Sequence, residues 1–386
     1  MNNKKELVFF ITHSLGELDV VLPIICKMNS NKGEYSFCIV FVVRSLYDNF
    51  IANDFYKKVF RLLQIDQGFI HLPNKFDSKN SSNNIFLRVK NRIEKYYINP
   101  IKIAKLYFII NKSFVIFHEF SCQYSSVKVL YLLSKINKKS IFTYIHGHAC
   151  NIDTKQKKVP FCTKYSHLLN FHDHSTFTYL NAGYEEQSII GYPKFYPEWR
   201  MFVEDNFNLN PINEKFALIF TRPINPYYMD ENKYCELLND TLSSIHECFG
   251  ESMLVIIKPH PREDEDYIHR VLSNLKVRYE ISRIDSSVLS MHAHIAISFW
   301  TSAVLSSLAF GVPSIEFYKE AQRFREVEPS GSSYKKLGIA SVNNKEDLIL
   351  FMQKVISGNY RPPISVLKIF NKYSSTNISN ILTQNS

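Results

Sequence analysis

No apolar run in this chain approaches the ~18 residues that a bilayer-spanning helix needs, so the sequence predicts no membrane span. Paired-cysteine motifs are missing as well. The seven cysteines (Cys26, Cys38, Cys122, Cys150, Cys162, Cys235 and Cys248) are scattered and odd in number. None forms a C-x-x-C pair, which argues against both a zinc site and a disulfide framework. Most lie in apolar runs, where a free cysteine packs as a small hydrophobe. Internal repeats, low-complexity tracts and RNA- or DNA-binding signatures are absent too. Residues Met1–Glu6 lead straight into a strand-like run without signal-peptide form, so a cytoplasmic protein is expected. Glycine is scarce at 11 residues, whereas Phe (30) and Tyr (23) are many. The surplus of Lys, Asn, Ile and Tyr looks like nucleotide bias in the source genome and carries little function.

At 386 residues the chain is too long for one ordinary core, and two domains of roughly two hundred residues or less are expected. Hydrophobic residues at 45% and charged ones at 21% make a normal globular balance. The net charge of +10 favours anionic partners, and without a nucleic-acid signature these are acidic lipid surfaces or phosphorylated substrates. The basic excess is densest at Arg88, Lys90, Arg92, Lys95, Lys102, Lys105 and Lys112, interleaved with Phe86, Ile93, Tyr96, Tyr97, Ile101, Ile103 and Leu106. That mixture suits a helix lying on anionic headgroups, peripheral to the inner face of a membrane. It equally suits a surface helix whose apolar stripe faces the domain core. Pro100 breaks the stretch in two.

Strand-like and helix-like runs alternate. Leu7–Ile11, Ser36–Val43, Phe114–Phe117, Ser140–Ile145 and Leu168–Phe171 read as strands. Leu18–Met28, Asn49–Leu63 and Ser125–Ile136 read as helices, and the Asn/Ser-rich residues 73–84 as a loop. Gly191–Pro197, with two prolines, reads as a connector. A second series follows, with strands at Phe216–Phe220, Met253–Ile257, Val277–Ile281, Ile295–Ser298 and Ser314–Phe317. Its helices fall at Glu231–Cys248, Asp264–Leu275, Ser302–Phe310 and Lys345–Ile356. The alternation predicts an α/β protein with two Rossmann-like domains facing a cleft. Residues 1–190 form the first domain, 191–365 the second and 366–386 a tail.

Two segments of the second domain put chemistry at strand ends, where doubly wound sheets bind ligands. Lys258-Pro259-His260-Pro261-Arg262 follows a strand. Its prolines restrict the loop and present His260 rigidly, while Lys258 and Arg262 supply charge for a phosphate. A structural turn with a hydrogen-bonded His is the plainer reading. Glu263, Asp264, Glu265 and Asp266 crowd the next helix start and would repel an anion at that terminus, so side chains should grip the phosphate here. The second segment is Ser298-Phe299-Trp300-Thr301-Ser302, opening a helix without first-turn acids. Its N–H groups with Thr301 and Ser302 suit an anion, and Ser298 or Thr301 equally suits a cap. Glu316 is a candidate for accepting sugar hydroxyls, or for a salt bridge to Lys319, Arg323 or Arg325. Arg222 ends a strand and suits a donor phosphate, or packing on Tyr227 or Tyr228. In the first domain, His13, Glu17 and Asp19 occupy the first βα loop as candidate bases, although Glu17 also suits a helix-stabilising first-turn acid. His146 and His148 end another strand, near His172 and His174. Acceptor or nucleotide contacts are expected of them rather than a metal.

A Lys-Pro-His-Pro box followed by Ser-x-x-Thr-Ser, a small-residue helix, Gly-x-Pro and Glu resembles the donor domain of GT-B glycosyltransferases over residues 190–320. The pattern is similar to bacterial capsule and lipopolysaccharide transferases, including sialyltransferases and Kdo transferases that use CMP-activated sugars. The resemblance implies that His260, Pro261, Thr301 and Ser302 hold the nucleotide phosphate and base. It implies no cofactor beyond a nucleotide-sugar substrate, CMP-linked, and metal-independent transfer to a glycan or lipid-linked acceptor. The acidic Asp/Glu-Asp/Glu-Gly box of those families does not occur here. A similar layout in glycerophosphotransferases implies CDP-glycerol as an alternative donor, and a non-catalytic nucleotide-binding scaffold is the alternative of another class.

Overall fold

The computed structural model describes residues 4–12, 14–30, 33–72, 100–119, 125–145, 166–171, 186–207, 215–272, 278–327 and 331–384. The chain divides into two compact units. One runs to Glu198 and takes in the segment from Tyr373 onward, and the other spans Trp199–Lys372.

The first unit is built on a seven-stranded sheet: β1 (Lys5–Ile11), β2 (Tyr35–Phe41), β3 (Ile65–Phe69), β4 (Val115–Glu119), β5 (Ser140–Tyr144), β6 (His167–Asn170) and β7 (Gln187–Ile189). Its order is β3-β2-β1-β4-β5-β6-β7, and the pairings are parallel. The helices are α1 (Leu18–Asn29), α2 (Arg44–Ala52), α3 (Asp54–Leu62), α4 (Pro100–Lys112) and α5 (Ser125–Ile136). Strands covered on both faces read as unbroken apolar runs, as Leu7–Ile11 does. On one face Val8, Phe10, Val40, Val42 and Ile116 pack under Leu106 and Ile110 of α4 and Leu130 and Leu133 of α5. On the other, Phe9, Phe117 and Phe142 form a ladder, the first pair stacked at 4.3 Å. The helix expected over 49–63 is two helices, because Asn53 adopts an extended backbone and caps the second through Tyr56 N. The strand β3 was not foreseen, since its Asp66 and Gln67 are exposed at the sheet's edge.

The unit boundary falls within α6 (Pro197–Asn206). The second unit has β8 (Phe216–Phe220), α7 (Glu231–Phe249), β9 (Leu254–Lys258), α8 (Glu265–Leu272), β10 (Tyr279–Ile281), α9 (Ser286–His292), β11 (Ile295–Ser298), α10 (Ala303–Ala309) and β12 (Ser314–Phe317). There follow α11 (Phe324–Val327), α12 (Ser333–Lys336), β13 (Ser341–Val342), α13 (Lys345–Ile356) and α14 (Ile364–Asn371). The parallel sheet has the order β10-β9-β8-β11-β12-β13. Along β8, Ala217 and Ile219 face one core, and Phe216, Leu218 and Phe220 the other. Both sheets are therefore of the doubly wound type the alternation predicts. No helix among the described residues is long and apolar enough to cross a membrane.

The C-terminal segment, read from sequence as a tail, holds α15 (Ile378–Gln384) and belongs to the first unit. Lys27 lies 4.2 Å over the Tyr196 ring and donates to the Ser374 carbonyl. Gly191 has φ +78°, and a Cβ there would stand 2.8 Å from the Tyr373 carbonyl carbon. Gly191→Ala is expected to lower stability by about 2–4 kcal/mol. Urea denaturation followed by circular dichroism measures this, and an unchanged midpoint would contradict the packing of the C-terminal segment.

Candidate functional site

A parallel sheet wound in two directions opens a crevice where the strand order reverses. In the second unit that point lies between β8 and β11, and in the first between β1 and β4.

At the second unit's reversal, Phe299 N donates to Phe220 O (2.9 Å), so the two strand ends run side by side. Arg222 crosses the gap. Its Nη1 donates to the Trp300 carbonyl at 2.7 Å while its guanidinium lies 3.9 Å over the Tyr228 ring. The stacking expected of Arg222 as a packed residue is therefore present, at the position expected of a phosphate ligand. Trp300 itself has φ +49°, a left-handed conformation that costs a non-glycine residue about 1–3 kcal/mol. Its ring is held by Tyr228, Tyr318, Phe324 and Tyr334. This aromatic cluster escapes sequence reading because its members come from separate segments.

On the next strand, the Lys258–Arg262 turn is closed from beneath by Glu263. Glu263 N donates to His260 O, and Glu263 Oε2 accepts His260 N at 2.5 Å. The same oxygen accepts Thr221 Oγ1 at 2.7 Å, and Oε1 accepts the Tyr234 hydroxyl at 3.0 Å. Burial holds the Glu263 carboxyl above its usual range, and these three donors pull it back down. The acids expected at the helix start are there in part, with Glu265 and Asp266 in its first turn. Helix α8 starts at Glu265, Glu263 turns inward, Glu265 pairs with Arg283 at 2.9 Å, and Asp264 caps Asp266 N. His260 is half-buried, and its Nδ1 accepts Arg262 N at 3.2 Å. That bond places the neutral ring's proton on Nε2. Pro261 and Arg262 are exposed.

Around β11, Ser298 is fully buried and donates to Thr301 O at 2.9 Å, fixing the loop rather than capping a helix. Thr301 Oγ1 makes a long contact with Ala303 N, 3.4 Å, and Ser302 makes no side-chain cap. Glu316 on β12 is fully buried and accepts the hydroxyls of Ser332 (2.5 Å) and Ser341. The salt bridge weighed for it is not formed: Lys319 pairs with Glu236 and Asp240, Arg323 with Glu326 and Arg325 with Glu320. Ser332 in turn caps α12, so Glu316 ties β13 and α12 to β12.

In the first unit, Glu17 is fully buried. Its carboxylate accepts Thr12 N (3.0 Å), Ser14 N (2.9 Å) and the Tyr144 hydroxyl (3.0 Å). Both oxygens are committed, so Glu17 shapes the first βα loop. Burial, with Glu17 and Glu119 adding to it, pushes the Tyr144 phenol well up. Asp19 pairs with Lys194 at 2.9 Å and takes a long bond from Tyr56. His13, His146, His148, His172 and His174 lie outside the described residues. Glu119 was not singled out from the sequence. It ends β4 beside the reversal point and is 6% exposed. An acid two residues past the apolar run Phe114–Phe117, behind His118, gives no signal until the strand order is known. Burial pushes the Cys26 and Cys38 thiols up to about 12, which keeps them as protonated core groups. Among the described residues no three His, Cys, Asp or Glu converge as metal ligands.

No protein-family profile matches the sequence, and no curated protein matches it. Solved structures do match along almost the whole chain. A UDP-GlcNAc 2-epimerase of Methanocaldococcus jannaschii in complex with UDP-GlcNAc and UDP is 17% identical, covers 98% of this chain and 99% of its own, and has a TM-score of 0.58. Anabaena HepE in complex with UDP and glucose is 10% identical over 98% and 100%, with a TM-score of 0.56. A glycosyltransferase from Rickettsia africae is 14% identical over 100% of both chains, with a TM-score of 0.55. Identities this low establish the fold alone: two Rossmann-like α/β domains of the GT-B type.

The raised Glu263 carboxyl fixes a sign. A carboxyl whose folded pKa lies above its unfolded value contributes stability that is present at low pH and lost as pH rises through the folded pKa. Glu263→Gln keeps an oxygen for His260 N and Thr221, and should remove that part of the pH dependence. Glu263→Ala should cost about 2–3 kcal/mol by leaving those donors unmet. Denaturation of the three proteins between about pH 4.5 and 7.5 checks this. Parallel stability profiles for wild type and Gln variant would refute it.

Proposed function

We propose that the protein is a glycosyltransferase. It moves a sugar from a nucleotide donor to a glycan or lipid-linked acceptor in bacterial surface-polysaccharide synthesis. The observation that carries this reading is the second unit's reversal point. There an arginine, a rigidly presented imidazole and the hydroxyl-bearing Thr301–Ser302 loop lie on neighbouring strand ends, braced by the inward-turned carboxylate of Glu263. His260 Nε2 would donate to the departing phosphate, with Lys258, Arg222, Arg262 and the amides near Thr301 and Ser302 neutralising it. Groups held in place before the reaction stabilise developing charge without a metal. The HepE and epimerase structures hold UDP, whereas the Lys-Pro-His-Pro box resembles that of CMP-sugar enzymes. We assign CMP on that box. Transfer forms a bond from the acceptor oxygen to the anomeric carbon and breaks the anomeric carbon–phosphate oxygen bond. The nucleotide leaves with the electron pair, and the acceptor's proton passes to a base.

Thermal shift and calorimetry with CMP, UDP, GDP and CDP test the donor site, since ligand bound to the native state raises its apparent stability. CMP is expected to bind, and His260→Ala to weaken it by about tenfold or more, the worth of one charge-assisted hydrogen bond. No shift with any nucleotide would sink the reading. Consumption of CDP-glycerol would move it to polyol-phosphate transfer, and binding without turnover of any donor to a scaffold.

A further inference from the structure

The outer side of the helices on one face of the first unit's sheet is unlike an ordinary solvated surface. Helices α4 and α5 bury Leu106, Ile110, Leu130 and Leu133 against the same sheet face. Their opposite sides present Ile101 (64% exposed), Phe108 (61%), Leu132 (49%) and Ile136 (68%). Ile101, Lys105, Phe108 and Lys112 share one helical stripe, spaced i, i+4, i+7 and i+11. Leu132 and Ile136 share another. Lys105, Lys112, Lys135 and Lys138 are exposed among them, and the sequence has no acidic residue from Pro100 to Lys112 or from Ser125 to Lys139.

A helix packed on a core by one stripe carries polar and charged residues on the other side. Here that other side alternates large apolar groups with lysines. Water favours the lysines and penalises the apolar groups, and a protein partner's apolar patch would do the reverse. The headgroup zone of an anionic bilayer satisfies both, taking side chains such as Phe and Ile into its acyl boundary and ammonium groups at its phosphates. We propose that the α4–α5 face is a docking surface for an anionic lipid bilayer. This goes beyond the assignment of sugar transfer and does not depend on it. Burial raises the Glu6 carboxyl while the charge of Lys112 pulls it down, so the surface is tested through the other lysines.

The test is co-sedimentation of the full-length protein with vesicles of phosphatidylcholine alone, or with about 30 mol% phosphatidylglycerol. Binding is expected only with the anionic lipid, and much weaker at about 0.5 M salt than at 0.1 M. A triple variant, Lys105→Glu, Lys135→Glu and Lys138→Glu, should lower partitioning at least about a hundredfold, since each lysine near such a surface is worth roughly fivefold. The double variant Phe108→Ser and Ile136→Ser should lower it by about tenfold or more. All five side chains are exposed, so unchanged thermal stability and circular dichroism would certify folded variants. Equal binding to neutral vesicles, or variants that bind like wild type, would overturn the proposal. So would a self-association, seen by ultracentrifugation, that the double variant abolishes while vesicles capture nothing.

Discussion

Sheets covered by helices on both faces leave little room for polar groups, because unpaired donors and acceptors are costly in such an interior. In both units the strands are parallel and the central ones nearly continuous in apolar residues, so chemistry is confined to the strands' carboxyl ends. Strand-order reversal narrows it further, since only there do loops diverge and open a crevice. Arg222, His260 and Thr301 of the second unit inherit their positions at strand ends from this constraint.

Three carboxylates, Glu17 and Glu316 fully buried and Glu263 half-buried, convert that placement into rigidity. Glu17 gathers two backbone amides and a tyrosine, Glu263 gathers an amide, a threonine and a tyrosine, and Glu316 gathers two serines. Each sits below a strand-end loop and ties it to a neighbouring element. A carboxylate has lone pairs for several donors at once, which no neutral side chain of its size matches. In the interior each bond is strengthened by the low dielectric, and the loss of one partner is correspondingly costly. These acids act through the loops they hold.

Most of the fold was legible in the chain because its signal is local. Apolar runs such as Phe216–Phe220 and Ile295–Ser298 are bounded by turn residues and followed by helical periodicity, and both strands lie where those runs do. The edge strand β3 was invisible, because an edge position tolerates the polar Asp66 and Gln67. The candidate site was legible as residue types at strand ends and illegible as a network. Nothing in the sequence distinguishes Glu263, turned inward, from Asp264, turned outward. The partners of Glu263 lie 42 and 29 residues away. Likewise Glu119 acquires meaning only through the order β1-β4-β5, which is a property of the folded sheet.

Trp300 joins these themes. Its left-handed backbone would relax if its ring were loosely held, yet four aromatic rings and the Arg222 bond to its carbonyl fix it. Aromatic pairs contribute about 0.5–1.5 kcal/mol each beyond their burial, enough together to offset a strain of about 1–3 kcal/mol. The strained turn swings the chain out of β11, so that the Thr301 and Ser302 amides leave the strand at the reversal point. A glycine would reach the same backbone angles without strain but would lose the ring that locks them. The choice of tryptophan there thus trades local strain for a loop held in one orientation.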